Sequence, residues 1–334
     1  MRAGHLLLTG LISLPFTALA GPSDYFNVYN VPDGELGEYT DEWTPGSADL
    51  TFTATFCIAS ANYNNSYSSS SPPASGAEQQ PYKIKVDSRY SNQSNFYVYK
   101  NDVSTATDNR RIPVTVEHRD TMDGNAWHQL SYDTYESMDL HDGQWKNCNF
   151  GDNSQLRFTF DGDDLDNARA GNYRGKWRID GMGGSSGTKT DGDNFRTKFS
   201  VPDIVRVSGL SDMDLGNVST TADQTIESEF CIYANSSSGT YQVTFTSPNK
   251  DVNGNYYLTG TGGTINYDLY FKANTTAGFG TQVGNSALTG NGNNSSSSCS
   301  GANNAKLSVS ILSGKMSGAE GSYSDTLTLV VAPQ

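Results

Sequence analysis

The chain has 334 residues, of which 17% are charged and 35% hydrophobic, and its formal net charge is −14 at pH 7. No basic stripe is present to displace counterions from phosphates, so this composition argues against a nucleic-acid partner. The length favours about two domains, and the 34 glycines and few charges favour short strands joined by polar turns.

The first twenty residues have the pattern of a secretory signal peptide. Arg2 precedes an apolar run from Leu6 to Leu19, and small residues end it at positions 18–20. The run is shorter than the roughly 20 apolar residues that a membrane helix needs. We therefore predict that residues 1–20 are a signal peptide and that the mature chain is secreted into an oxidising compartment.

An internal repeat divides the rest of the chain. Phe56–Ile58 corresponds to Phe230–Ile232, and each closes an alternating run that reads as a strand. Further alternating runs follow in the same order and at similar spacing in both halves. We predict two copies of one domain, at residues 21–192 and 193–334.

The repeat also predicts the disulfides. Each copy contains two of the four cysteines, so each domain is expected to close its own bridge, Cys57 with Cys148 and Cys231 with Cys299. In the chain-entropy model, loops of this length remove about 4 to 5 kcal/mol of unfolded-state entropy.

The predicted fold class is all-β, with two tandem immunoglobulin-like sandwiches. Each copy has six or seven short alternating strands with turn residues between them, and a barrel is the alternative. The glycine-rich stretch Gly181–Gly192 is predicted as a linker or long turn between the copies. The segment Asn194–Val201 is the candidate for the strand that closes the first domain.

The last predicted strand, Tyr323–Val331, places Leu327, Leu329 and Val331 on one face and lies next to the end of the sequence. An apolar strand at a sheet border normally needs a neighbour or a device that blunts its edge, and the nearby blunting residue is Pro333. We therefore expect the second domain to lack one strand and to accept a donor strand along these three residues.

The runs Ile265–Tyr270 and Gly321–Leu329 resemble the spore coat protein U domain, the subunit domain of archaic, Csu-type chaperone-usher pili. The resemblance extends from Lys198 to Gln334, and the first copy shares it more loosely through Asn172–Gly175. It implies that the second domain is completed first by a periplasmic chaperone and then, after delivery to an outer-membrane usher, by the donor strand of a neighbouring pilin subunit.

The mature chain is expected to enter its first strand at about Tyr25, which leaves no spare arm to donate a strand. The resemblance therefore implies a two-domain tip adhesin at the end of a cell-surface pilus. Its first domain would attach to an abiotic surface or a host receptor and support biofilm formation. A structural pilus or coat subunit is one alternative, and a secreted carbohydrate-active or metal-dependent enzyme is another.

Aromatic and apolar residues in long polar loops of the first domain are the candidates for surface contact. Tyrosine and tryptophan offer a large contact area at low entropic cost and keep a polar end for water or sugar hydroxyls. The candidates are Tyr63, Tyr67, Pro72, Pro73, Trp127, Tyr132, Tyr135 and Met138, whereas Trp145 is better suited to packing over the sandwich. The ligand stays open between a hydrophobic surface, a sugar and a protein.

The histidines and aspartates of the first domain are predicted to have no catalytic or metal-binding role. His118, His128 and His141 match no compact ligand spacing, which favours a solvated acidic loop. The aspartates at 161, 163, 164 and 166 resemble a calcium loop in composition only, so a turn is predicted. Because acidic pairs such as Glu117 and Asp120 also lack a supporting context, we predict no metal, cofactor or enzymatic activity.

Overall fold

The computed structural model describes residues 23–32, 36–38, 41–63, 78–122, 126–137, 141–143, 148, 151–184, 187–218 and 220–334. The predicted signal peptide, the contact candidates Tyr67, Pro72, Pro73 and Met138, and Trp145 lie outside these ranges, as does the side chain of Tyr63. Among the described helices, none has the length and apolar character needed to cross a membrane.

The described part of the first domain is built from strands and one short helix. Its elements are β1 (Ser23–Tyr29), β2 (Leu50–Tyr63), β3 (Glu78–Gln79), β4 (Pro81–Ser88), β5 (Tyr97–Lys100), β6 (Arg111–Pro113), β7 (Thr115–Asp120), β8 (His128–Gln129), β9 (His141–Asp142), β10 (Ser154–Phe160), α1 (Gly162–Asn167), β11 (Gly171–Gly183) and β12 (Lys189–Val201). One sheet has the order β1-β2-β10-β7-β8, with β3 also on β2, and the other β6-β5-β11-β4-β9, with β12 also on β11.

The second domain repeats this plan with fewer strands. Its elements are β13 (Val205–Ser208), β14 (Gln224–Ala234), β15 (Thr240–Thr246), β16 (Tyr256–Gly260), β17 (Gly263–Lys272), β18 (Thr281–Gln282), β19 (Leu288–Asn291), β20 (Ala305–Ile311), β21 (Tyr323–Ser324) and β22 (Thr328–Pro333), with 3₁₀ turns at Cys299–Gly301 and Ser313–Lys315. The sheets are β13-β14-β20-β17-β16-β21, with β18 on β17, and β19-β15-β22. Two facing sheets in each domain confirm the predicted sandwich.

Period-two alternation builds the cores. In β10 the residues Leu156, Phe158 and Phe160 are buried, and the residues between them face outward. Across the sandwich the Phe158 ring lies 5.4 Å from the ring of Trp177 in β11, which is fully buried. The aromatic residues that alternate in the sequence therefore meet between the two sheets.

Both disulfides form as predicted, Cys57 with Cys148 and Cys231 with Cys299. The first cysteine of each pair lies in a strand, β2 or β14, and the second has a left-handed backbone with a φ of 51° or 52°. Each bridge therefore ties a core strand to the turn that precedes β10 or β20.

An asparagine five residues after the second cysteine reinforces this junction in both copies. The Asn153 side-chain oxygen accepts a hydrogen bond from the backbone N–H of Ile58 at 2.9 Å, and Asn304 does the same for Ile232 at 2.8 Å. Because both side chains satisfy backbone groups of a buried strand, the repeat extends to polar contacts as well as to the apolar pattern.

The prediction that Gly181–Gly192 is a linker or long turn between the copies is wrong, because residues 181–183 end β11 and residues 189–192 begin β12, and both strands belong to the first domain. The two strands pair from Gly171 with Val201 to Gly183 with Lys189. A Cβ atom on residue 181 or 183 would lie 2.4 or 2.5 Å from the ring of Phe26, so these glycines serve close packing rather than flexibility.

The segment Asn194–Val201, predicted to close the first domain, is the second half of β12. Its pairing with β11 confirms that prediction. The sequence-based domain boundary at 192/193 consequently falls inside a strand of the first domain, and the junction with the second domain follows Val201.

The junction between the domains is centred on Asn235, which is fully buried. Its side-chain nitrogen donates to the carbonyls of Ala168 at 3.1 Å and Pro202 at 2.9 Å, and its side-chain oxygen accepts from the backbone of Ile204 at 2.7 Å. Its own carbonyl accepts from the backbone of Ala170 at 3.0 Å. One side chain thus joins the end of the first domain to the start of the second.

The aspartate run also lies at this junction and forms the short helix α1. Asp161 is the N-cap and accepts from the backbone of Asp163 at 2.8 Å and of Asp164 at 3.4 Å. Asp166 forms an ion pair with Arg206 of the second domain. The aspartates therefore begin and anchor a single helical segment where the sequence predicts a turn.

Candidate functional site

An open groove of about 700 Å³, with an apolar floor and largely polar walls, lies along the second domain. Its floor is formed by inward-facing residues of β14, β17 and β20, namely Ile226, Ile265, Tyr267, Leu307, Val309 and Ile311. One wall is the segment 210–218, which follows β13, and the other is the segment 321–327, which leads into β22. The groove is therefore a gap along one border of the sandwich.

In the first domain β12 fills the corresponding space. The ring of Phe199 lies 4.7 Å from that of Phe160 and 5.7 Å from that of Tyr173, and the ring of Phe195 lies 5.5 Å from that of Phe158. Phe195 and Phe199 are at most 2% exposed. The inner face of β12 completes the first core.

A further segment covers the outer edge of β12. The backbone N–H of Leu36 donates to the carbonyl of Arg196 at 2.6 Å, and that of Trp43 donates to the carbonyl of Ser200 at 3.1 Å. The strand β12 therefore lies between β11 and the segment that follows β1. In the second domain the counterpart of β11 is β22, and the counterpart of the segment after β1 is the segment 210–218 after β13. The groove lies between these two.

The strand pairings show that β11 of the first domain corresponds to β22 of the second. Ile179 in β11 pairs with Val86 in β4, and Leu329 in β22 pairs with Phe245 in β15. The strand β11 has β12 on its other edge, whereas in the described part of the second domain no strand pairs with the other edge of β22. The second domain is thus one strand shorter than the first at this border.

The three predicted acceptor residues differ in position. Leu327 lines the groove. Leu329 and Val331 lie in β22, half-buried against the core and outside the groove lining. The alternation of apolar residues that identifies strands does not identify the wall at 210–218. The sequence marks this wall only by four apolar residues spaced along a polar connection, namely Leu210, Met213, Leu215 and Val218.

The two sequence runs that carry the family resemblance meet inside the groove. Tyr267 of the first run donates its hydroxyl to the Asp325 carboxylate of the second at 2.6 Å, and Ser247 donates to the other carboxylate oxygen at 2.6 Å. Burial and then Asp325 raise the pKa of Tyr267 well above its ordinary value, so the hydroxyl stays protonated and donates. This pair fixes the wall that precedes β22.

The loops that contain the surface-contact candidates begin at the end of the first domain that is remote from the second. The strand β2 starts at Leu50, which pairs with Phe160 next to α1, and ends at Tyr63. Because α1 contacts the second domain through Asp166, Tyr63 lies at the opposite end. We refer to this as the far end of the first domain.

The described contact candidates do not share one surface. Trp127 lies on the outer face of the first sheet, with the guanidinium carbons of Arg119 and Arg157 at 4.5 and 4.3 Å from its ring. Tyr135 lies below the amino groups of Lys83 and Lys85, which project from β4 in the other sheet.

Tyr132 differs from both, because its ring lies 5.3 Å from that of the buried Phe96 and packs against the first core. Tyr132 therefore packs against the first core, whereas Trp127 and Tyr135 are half-buried side chains on the two outer faces of the sandwich.

The prediction that the three histidines lie in a solvated acidic loop is wrong, because each of them lies in a strand and none is fully exposed. His118 in β7 and His141 in β9 are buried and lie beside the side chain of Glu136, while His128 is half-buried. Burial raises the pKa of Glu136, but the contacts with the two histidines outweigh it and hold that pKa at about 2. The carboxyl group is thus ionised in a largely buried site.

No protein-family model matches the chain, and no curated protein matches it either. Among solved structures, the chain is similar to the tip adhesion subunit of the archaic chaperone-usher Csu pili of Acinetobacter baumannii, solved with its chaperone, at 12% identity over 76% of this chain and 84% of that chain (TM-score 0.42). It is also similar to the adhesive subunit of the CFA/I fimbria of enterotoxigenic Escherichia coli, at 10% identity over 90% and 92% (TM-score 0.38). At such identities the likeness is one of fold.

Proposed function

We propose that this chain is a pilus tip adhesin. Its second domain accepts a β-strand from a periplasmic chaperone and then, at the outer-membrane usher, from a neighbouring pilin subunit. Its first domain attaches to an abiotic surface or a host receptor and so supports biofilm formation. The proposal rests on the groove of the second domain together with the sequence resemblance to the pilus subunit domain.

The observation that carries the proposal is the difference between the two copies. The first domain fills its sandwich border with β12, which contributes Phe195 and Phe199 to the core. At the same border of the second domain lies a groove with an apolar floor, flanked by two backbone segments. An extended segment bound there would gain main-chain hydrogen bonds at its edges and place alternate apolar side chains on the groove floor.

A charge on the groove floor tests the strand-acceptor role. We expect Ile226→Asp to abolish display of the protein on the cell surface, because a carboxylate in an apolar groove opposes the entry of an apolar strand. The measurement is immunogold labelling and surface protein quantification. The matched control is Val252→Asp, because Val252 is 93% exposed and lies outside the groove.

Equal display of the two variants would contradict the proposal, provided that tryptophan fluorescence shows an intact first domain in both. In cells that produce the unmodified protein, we expect the immunogold label at the ends of the fibres. Label along the fibres would favour the structural-subunit alternative.

Trp127 tests the contact surface. Since its ring is partly exposed between two guanidinium groups, Trp127→Ala is expected to weaken attachment by roughly tenfold, which is the effect of a hot-spot residue. Attachment of purified protein to coated surfaces is measured beside Phe279→Ala, which removes a half-exposed ring from the second domain. Unchanged attachment of the Trp127 variant would remove this residue from the contact surface.

A further inference from the structure

Two histidines and a glutamate converge in the interior at the far end of the first domain. The Nδ1 atom of His118 lies 2.9 Å from one carboxylate oxygen of Glu136, and the Nε2 atom of His141 lies 3.3 Å from the other. The three side chains are 0%, 2% and 7% exposed for His118, His141 and Glu136, and one potential ligand atom from each lies within 4.8 Å of the others. Such spacing suits atoms that surround a common ion.

Four polar atoms of this cluster have no hydrogen bond among the described residues, whereas Oε1 of Glu136 accepts from the backbone N–H of Ile84 at 3.2 Å. Nδ1 of His118, one carboxylate oxygen of Glu136 and both ring nitrogens of His141 lack an aligned partner among the described residues. Buried polar atoms without partners are costly and rare in native proteins. His141 is therefore an unpartnered side chain that is buried and directed at a carboxylate.

The other ring nitrogen of His118 is already engaged. Its Nε2 lies 2.6 Å from the Ser154 hydroxyl oxygen, and beyond it Tyr82 donates to Asp120 at 2.5 Å. When Nε2–H donates to Ser154, the lone pair of Nδ1 faces the Glu136 carboxylate. The lone pair of Nδ1 and an oxygen of Glu136, 2.9 Å apart, are then close enough to bind the same metal ion.

We propose that His118, Glu136 and His141 bind a divalent transition-metal ion, with zinc as the ion that the ligands suit best. Two imidazole nitrogens and one carboxylate oxygen form a ligand set that zinc accepts in protein sites. His128 is half-buried, and its ring centroid lies 6.0 Å from that of His141. The hydrogen bond to Ser154 supplies the outer contact that orients a metal-bound histidine.

The ion would connect the two sheets of the first domain. His118 lies in β7 of one sheet, His141 lies in β9 of the other, and Glu136 lies in the segment between β8 and β9. The backbone of Glu136 also donates to the carbonyl of Ile84 at 3.0 Å. A bound ion would therefore hold a crossing segment and both sheets together at the far end. This inference is independent of the proposed function.

Zinc binding by the untagged full chain tests the proposal. After removal of metal with a chelator, titration with Zn²⁺ is expected to show one ion bound per chain, and excess ion is expected to raise the unfolding temperature of the first domain. The histidines beyond the predicted signal peptide are His118 and His141 of this cluster and the neighbouring His128, so X-ray absorption is expected to show imidazole ligands at about 2.0–2.1 Å from zinc. Absence of bound zinc, or zinc without imidazole ligands, would overturn the proposal.

Two isosteric variants separate the site from general charge effects. Glu136→Gln is expected to weaken zinc binding by more than about tenfold, since even changes beside metal ligands have effects of that size. Glu117→Gln removes the same charge from the outward face of β7, where Glu117 pairs with Arg157 at 2.7 Å, and is expected to bind zinc normally. Equal zinc affinity in the two variants would refute the site. If Glu136→Gln does not fold, the X-ray absorption spectrum of the unmodified chain still tests the site, because it shows whether imidazole nitrogens bind the zinc.

Discussion

Extending the chain with its own closing strand is expected to stabilise the second domain by about 5 kcal/mol. The repeat aligns Gly184, which follows β11, with Gln334, which follows β22. A copy of residues 185–201 appended after Gln334 would return along β22 as β12 returns along β11. Burial of two phenylalanines and one valine at roughly 1.5–3 kcal/mol each accounts for the expected gain.

The two domains can be followed separately during urea unfolding. All four tryptophans, Trp43, Trp127, Trp145 and Trp177, belong to the first domain, so their fluorescence reports that domain while circular dichroism reports both. The extension is expected to move the circular dichroism transition and leave the fluorescence transition in place.

The control is an extension of equal length in which the copies of Phe195 and Phe199 are replaced by serine. This control keeps the chain length and the potential for backbone pairing but removes the side chains that fill the groove. Equal stabilisation by both extensions, or none by either, would contradict the assignment of the groove as a strand site. A gain restricted to the apolar extension would support it.

Removing one ring of β12 is expected to destabilise the first domain by about 3–5 kcal/mol. Phe199 is fully buried between Phe160 and Tyr173, so Phe199→Ala leaves a cavity in addition to the lost transfer free energy. Tryptophan fluorescence during urea unfolding is the measurement. The variant is expected to lower the midpoint of the first domain and not that of the second.

Phe279→Ala serves as the matched control for that change. The Phe279 ring is 49% exposed and stacks on Tyr270 with a centroid distance of 4.7 Å. Its removal is expected to change the free energy of unfolding by about 0.5 kcal/mol or less, as is usual at a surface position. If both variants had the same small effect, β12 would not be the strand that completes the first core.

The predicted disulfides followed from the repeat, because each copy contains two cysteines at matching places in the strand order. The closing strand at 194–201 followed from its apolar spacing. The hairpin before it was missed because Gly181 and Gly183 suggest a linker by composition. Their role depends on Phe26, which reaches them from a strand more than one hundred and fifty residues earlier in the chain.

The histidine cluster shows the same dependence on distant contacts. His118 and His141 are twenty-three residues apart, and that spacing matches no compact ligand motif. They meet because β7 and β9 belong to facing sheets and because the segment that contains Glu136 crosses between them. Topology places these side chains together, and local spacing does not encode topology.

The sequence by itself determined the class of fold, the two copies and the cysteine pairing, because alternation and repeat spacing are local properties that can be read along the chain. Only the tertiary structure decided that β12 belongs to the first domain and that segments 210–218 and 321–327 form the walls of one groove. These features depend on which distant segments border the same gap. Hydrophobic alternation specifies the face that a strand buries and leaves its partner unspecified.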